Sequence, residues 1–185
     1  MKCLRTEVSS IYGMAIFQPQ MFSDERGWLY ESFNAKDFSD ALGLDVNFVQ
    51  DNHSMSGRQT LRGLHYQFKK PQGKLVRVIS GSVFDVTVDV RISSLSYGKW
   101  FGVVLSAENQ KQLWIPPGVA HGFLVLSDFS EVLYKVTDFY RPESEVCLAW
   151  NDSTVGIEWP LPKGIAPNMS AKDLAGLSWG EVPKL

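Results

Sequence analysis

Cysteine, histidine, charge of one sign and long apolar runs are all scarce in this chain, and each shortage excludes something. The two cysteines, Cys3 and Cys147, have neither metal-knuckle nor redox spacing and read as reduced thiols. With 18 basic and 20 acidic residues the net charge is −2, so there is no basic footprint for nucleic acid or an anionic membrane surface. No apolar stretch approaches the roughly 20 residues of a membrane helix. No basic segment followed by an apolar run opens the chain, so the expectation is a cytoplasmic protein without a signal peptide. No Gly-rich fingerprint follows a strand and opens a helix, which leaves no signature for a dinucleotide. Helical periodicity is scarce as well.

What is present is the material of a core. In 185 residues, 44% hydrophobic and 12% aromatic content supports one globular domain over 1–185. Short apolar runs with period-2 alternation dominate, broken by Gly, Ser and Pro. In 83–91, Phe84, Val86, Val88 and Val90 share one face, and Asp85, Thr87, Asp89 and Arg91 the other. Gly81 is expected to turn the chain between that strand and one at 74–79. Further strands are predicted at 28–33, 48–52, 61–67, 99–106, 112–115, 122–126, 132–137 and 146–151, a spacing that implies a sandwich or barrel. A helix is predicted over 35–42, with Asn34 as N-cap, Gly43 as C-cap, and Phe38 and Leu42 on one stripe. A second short helix is expected from Ser170, and the Pro- and Gly-rich end is expected to wrap over the barrel.

Pro116-Pro117-Gly118-Val119-Ala120-His121 fits Pro-x-Gly-x-x-His, half of the pattern that places metal ligands in cupin barrels. The other half, His-x-His, is missing. A glycine, Gly63, stands where the first histidine would be, and Lys74 where a carboxylate ligand is expected. A charged amine repels a cation and offers it no lone pair. The sequence therefore points to a barrel of cupin, or jelly-roll, type with no metal. Lys74, Arg62, His65 and His121 would serve an anionic intermediate there instead.

For each candidate two readings compete. His65 is either a core histidine or a group facing a cavity, with Gly63 leaving room for a ligand beside it. His121 either pins its loop or lines the site, and His53 is read as structural or exposed. Gln50 and Asn52 point the same way from one strand and need partners, either sugar hydroxyls or phosphate oxygens of a ligand or an internal hydrogen-bond network. Tyr134, between Val132 and Val136, is expected to face inward and could donate a proton. Asp173 sits at the capping-box position after Ser170 and could also orient a histidine. Arg26 lies in the turn-like Asp24-Glu25-Arg26-Gly27.

Taken together, these segments resemble the dTDP-4-dehydrorhamnose 3,5-epimerases. The likeness also includes Glu31-Ser32-Phe33, Phe48-Val49-Gln50-Asp51-Asn52-His53-Ser54, Gln72-Gly73-Lys74, Trp114-Ile115-Pro116, Ala120-His121-Gly122-Phe123, Trp150-Asn151-Asp152 and Ser170-x-Lys172-Asp173. The resemblance implies a homodimeric, cofactor-free cupin that inverts C3 and C5 of dTDP-4-dehydro-6-deoxy-glucose on the route to dTDP-L-rhamnose. It implies His65 as base, Tyr134 as acid, Asp173 as the partner of His65, and Lys74 beside the C4 oxygen. Arg62, His121, Gln50, Asp51 and Asn52 match sugar and phosphate contacts, and Glu145 and Lys172 further nucleotide contacts. Tyr140 matches the aromatic that stacks on thymine. Arg26 and Glu31 match the segment reaching across the dimer. Cys147, Ser153 and Asn168-Met169 depart from the family's usual residues. A mono-epimerase of a related sugar would keep the same base, lysine and acid.

Overall fold

The computed structural model describes residues 4–7 and 11–185, with side chains from residue 11 onward; Cys3 lies outside them. Among the described residues, thirteen strands and two short α-helices follow in chain order: β1 (Leu4–Glu7), β2 (Ala15–Gln18), β3 (Met21–Asp24), β4 (Gly27–Tyr30), α1 (Ala35–Leu42), β5 (Gln50–Gly57), β6 (Leu61–Gln67) and β7 (Lys74–Ser80). Then come β8 (Ser82–Asp89), β9 (Trp100–Ser106), β10 (Gln112–Ile115), β11 (Val119–Val125), β12 (Phe129–Val136), β13 (Glu145–Cys147) and α2 (Ala171–Leu174). Two antiparallel sheets face each other, ordered β1-β2-β10-β7-β12-β5 and β13-β6-β11-β8-β9. This is the cupin-type β-barrel expected from the strand pattern.

Between the sheets, Val76, Val78, Leu113, Ile115 and Val132 of the first meet Val83, Leu105, Phe123 and Val125 of the second. Burying each such side chain is worth roughly 1.5–3 kcal/mol, so this half of the barrel is closed by packing. Two further layers cover the outside. Helix α1 lays Phe38 on Phe17, Leu75 and Trp114, and it is capped as its sequence predicts. Asn34 accepts from the Asp37 N–H at 3.2 Å, and Gly43 closes the helix in the left-handed region. The C-terminal segment does wrap the barrel, setting Leu148, Val155, Val182, Trp159 and Trp179 against Val86 and Val88.

That wrap settles the alternation in β8. Its apolar face, Phe84, Val86 and Val88, lies outside the barrel under the C-terminal segment. The Asp85 face points inward, where Thr87 donates to Met14 Sδ. Gly81 makes the expected turn at φ +73°, and a Cβ there would lie 2.1 Å from Phe129 O. Gly63 corrects an expectation. A Cβ on it would come within 2.6 Å of Gly122 Cα and His121 O, so the neighbouring strand's backbone fills the room meant for a ligand. Strands β1, β2 and β3 went unpredicted: β2 stops just before Pro19, and all four residues of β3 are exposed and carry no burial alternation. The strand predicted at 146–151 ends at Cys147, and that at 28–33 ends at Tyr30.

Candidate active site

The open half of the barrel holds a cavity of about 300 Å³ lined by Gln50, Asn52, His65, Tyr66, Gln67, Gln72, Lys74, Tyr134, Tyr140 and Glu145. His65 reaches it because Leu64 and Tyr66 are committed to the opposite, packed face of β6. Behind His65 stands Asp173, with Oδ1 2.6 Å from Nε2. The other ring nitrogen, Nδ1, lies 3.7 Å from Glu145 Oε1. Asp173 performs both roles considered for it. Its backbone N–H donates to Ser170 Oγ at 3.1 Å, while Ser170 Oγ donates back to Oδ2 at 2.8 Å. Burial alone would push the Asp173 carboxyl up; His65 and Ser170 together outweigh it and hold the carboxyl low. An anionic Asp173 stabilises the imidazolium that forms when His65 takes a proton.

Lys74 opens β7, is only 8% exposed, and donates to the His65 backbone oxygen at 3.3 Å. Burial pushes its amine down to about 8, against the pull of Asp85 and Glu145. Tyr134, on β12, packs between the core and the cavity. Burial pushes its hydroxyl up, with Arg62 opposing, so it is protonated at neutral pH. A histidine on one sheet, a tyrosine on the other and a buried amine beside them are group types able to move protons on and off carbon next to a carbonyl.

The mouth of the cavity is a hydrogen-bonded frame. Gln50 donates to Asn52 at 2.9 Å and accepts from the Tyr140 N–H, so the two amides pair with each other while still lining the cavity. Tyr140 donates to Glu145 at 2.5 Å, and Lys172 caps the same carboxylate. Gln67 accepts from the Arg141 N–H, and Gln72 donates to the Asp138 oxygen, which fixes the loop carrying Tyr140.

Comparison with known proteins decides what kind of centre this is. The model of the family described as dTDP-4-dehydrorhamnose 3,5-epimerase matches residues 8–181. An enzyme of that name from Pseudomonas aeruginosa is 50% identical over 98% of both chains. This chain belongs to the dTDP-4-dehydrorhamnose 3,5-epimerase family. The dTDP-6-deoxy-D-glucose-3,5-epimerase of Legionella pneumophila, solved in complex with dTDP-4-keto-L-rhamnose, is 46% identical and superposes with a TM-score of 0.93, covering 97% of this chain and 94% of that one. A 3′-monoepimerase from Streptomyces bikiniensis, in complex with dTDP-quinovose, is 33% identical with a TM-score of 0.85, covering 96% and 87%.

Within this epimerase-family barrel, His65, Lys74, Tyr134, Gln50, Asn52, Tyr140 and Glu145 share one cavity, with Asp173 directly behind His65 and Lys172 at the mouth on Glu145. Other expected residues are not among those lining it. His121 lies opposite His65 on β11 and is buried against Asp85, 2.9 Å from Nε2 to Oδ2. Burial pushes its ring down in spite of Asp85. Arg62 donates to Ser56 and acts on Tyr134 through its charge. Asp51 points to the other face of β5, where it pairs with Lys135 at 3.0 Å. Arg26 is at the exposed tip of the β3–β4 hairpin, paired with Asp24, and Glu31 lines a separate small pocket beside α1. His53 is half-exposed and pairs with Glu131 at 3.0 Å. Sequence reading missed Asp85, Gln67 and Gln72. The available signal for Asp85 was a carboxylate in the middle of a strand whose other face is wholly apolar.

Proposed function

We propose that this chain inverts C3 and C5 of dTDP-4-dehydro-6-deoxy-D-glucose, giving dTDP-4-dehydro-L-rhamnose for dTDP-L-rhamnose biosynthesis, without a cofactor. One observation carries the reading: His65 stands on the five-stranded sheet and Tyr134 on the six-stranded sheet, with the cavity between them. Inversion needs removal of a proton from one face of the ring and delivery to the other. His65 takes the proton from carbon, the electron pair moves onto the C4 oxygen, Lys74 holds that oxyanion, and Tyr134 returns a proton from the opposite side. The ligand named for the Legionella relative and the family match support the substrate. Tyr140, Glu145, Lys172, Gln50 and Asn52 frame the mouth, where the nucleotide enters.

Incubation in heavy water with the substrate tests this reading. Deuterium is expected at both C3 and C5 by NMR; exchange at one carbon only would move the assignment to a mono-epimerase like the Streptomyces relative. With Tyr134→Phe, deprotonation is expected to persist while inverted product falls roughly 10²–10⁴-fold. Inverted product at the wild-type rate would remove Tyr134 from the acid role.

The working form in this reading is a homodimer. Among the described residues, the β3–β4 hairpin pairs with no strand of either large sheet, and it exposes Trp28 and Leu29 by 62% and 68%. An apolar two-stranded ribbon of this kind is stabilised by a partner surface. Arg26 at its tip and Glu31 at its base would then complete the partner's cavity. Sedimentation velocity is expected to give a dimer for the wild type and a monomer with raised KM for a Trp28→Glu, Leu29→Glu variant. A monomeric wild type at micromolar concentration would end this part of the proposal.

A further inference from the structure

Beside the His65–Asp173 pair stands a third donor, Cys147, that proton transfer does not use. Cys147 on β13 is the direct cross-strand partner of His65 on β6, so the two side chains leave the sheet on one face. A ring nitrogen of His65, Sγ of Cys147 and a carboxylate oxygen of Asp173 all lie within 4.8 Å of one another. Two of these donors, His65 Nε2 and Asp173 Oδ1, are buried and paired with each other at 2.6 Å, so a cation would bind by taking the place of that contact. Ser170 occupies only the other oxygen of Asp173. Cys147 Sγ makes only long hydrogen bonds, to the Leu148 and Asp173 backbone oxygens at 3.9 and 4.0 Å. Burial, helped by Asp173 and Glu145, pushes this thiol up to about 11, which makes it a poor nucleophile or redox sensor at neutral pH.

We propose that His65, Cys147 and Asp173 form a binding site for a thiophilic divalent cation of the zinc class, and that its occupation shuts the catalytic centre off. Nitrogen, thiolate and carboxylate are the donor types that zinc takes in tetrahedral sites. Tetrahedral bond lengths put such donors roughly 3.3–3.6 Å apart, so the close His65–Asp173 pair opens slightly and the sulfur closes in. Of the nearby cations Lys172 is paired with Glu145, whereas the Lys74 amine, held on the His65 backbone oxygen, is the charge that an ion here has to overcome. A cation on Nε2 parts His65 from Asp173 and lowers the proton affinity of Nδ1, so the ring no longer serves as a base. The inhibition rests on the assignment of His65 above; the site itself does not.

Titration of the reduced, full-length protein with Co²⁺ tests the site directly. Thiolate-to-cobalt charge transfer and tetrahedral visible bands are expected at one ion per chain. Both should survive Cys3→Ser and weaken at least about tenfold in Cys147→Ser and in Asp173→Asn; Cys147→Ala repeats the test if the serine variant fails to fold. Zn²⁺ should block deuterium exchange by the wild type, whereas Cys147→Ser should keep its basal rate and need at least about tenfold more zinc. Absence of the thiolate band, or its persistence in Cys147→Ser, overturns the site. A band that depends on Cys147 in a protein that exchanges no protons would uphold the site and fell the epimerase reading. Exchange that zinc inhibits equally with and without Cys147 would do the reverse.

Discussion

Replacing His65 with asparagine is expected to lower turnover roughly 10²–10⁴-fold and to stop deuterium entering the sugar at either carbon, while nucleotide-sugar binding stays measurable. The amide cannot accept the carbon-bound proton. It is nevertheless close to imidazole in size and can still donate toward Asp173, which sits 2.6 Å from the ring and is 95% shielded by its cap and neighbours. The cavity wall is therefore kept and the loss falls on kcat rather than KM. Calorimetric titration with dTDP alongside single-turnover NMR separates the two. An asparagine variant that exchanges at the wild-type rate would remove His65 from the mechanism.

The second large effect belongs to Lys74. Lys74→Met keeps most of the volume and removes the ammonium, and loss of one preorganised donor to an oxyanion costs roughly 3–4 kcal/mol, or 10²–10³ in kcat. The same group sets a pH signature. Its amine sits at about 8 in the fold against an ordinary 10.5. Activity that needs the ammonium is therefore expected to decline as pH rises through about 8. Stability moves the other way. Between about 8 and 10.5 the unfolded chain binds a proton on Lys74 that the folded chain has released, so this residue's contribution to stability rises with pH across the window. Its burial as an ammonium is a cost present below about 8. Wild-type kcat profiles and urea melts across the window, set against melts of Lys74→Met, give the contribution by difference. Identical pH slopes of stability in the two proteins would show that Lys74 titrates normally.

Local physics was legible. Caps at Asn34 and Gly43, the Gly81 turn and the Ser170–Asp173 capping box depend on groups within a few residues of each other, and all appear as expected. Period-2 runs located most strands for the same reason, because alternation is a property of the backbone alone. β8 marks where this stops. It is covered on both faces, by the C-terminal segment outside and by the barrel interior inside, so its alternation named two faces without saying which was in. Asp85 was overlooked for that reason. Gly63 failed differently, since only the approach of Gly122 from the neighbouring strand shows what its missing side chain makes room for.

The sequence by itself determined a β-barrel of short strands, the absence of His-x-His before Pro-x-Gly-x-x-His, and the list of groups able to move a proton. Tertiary structure decided which of them meet. His65 and Tyr134 face each other only because β6 and β12 lie in opposing sheets, and Asp173 backs His65 only because the chain's last segment returns over β6. It also placed Cys147 beside His65 by strand register and carried Arg26 out on a hairpin away from its own cavity. Contacts between distant segments depend on sheet order and register, and these follow from packing summed over the whole chain rather than from any local run of residues.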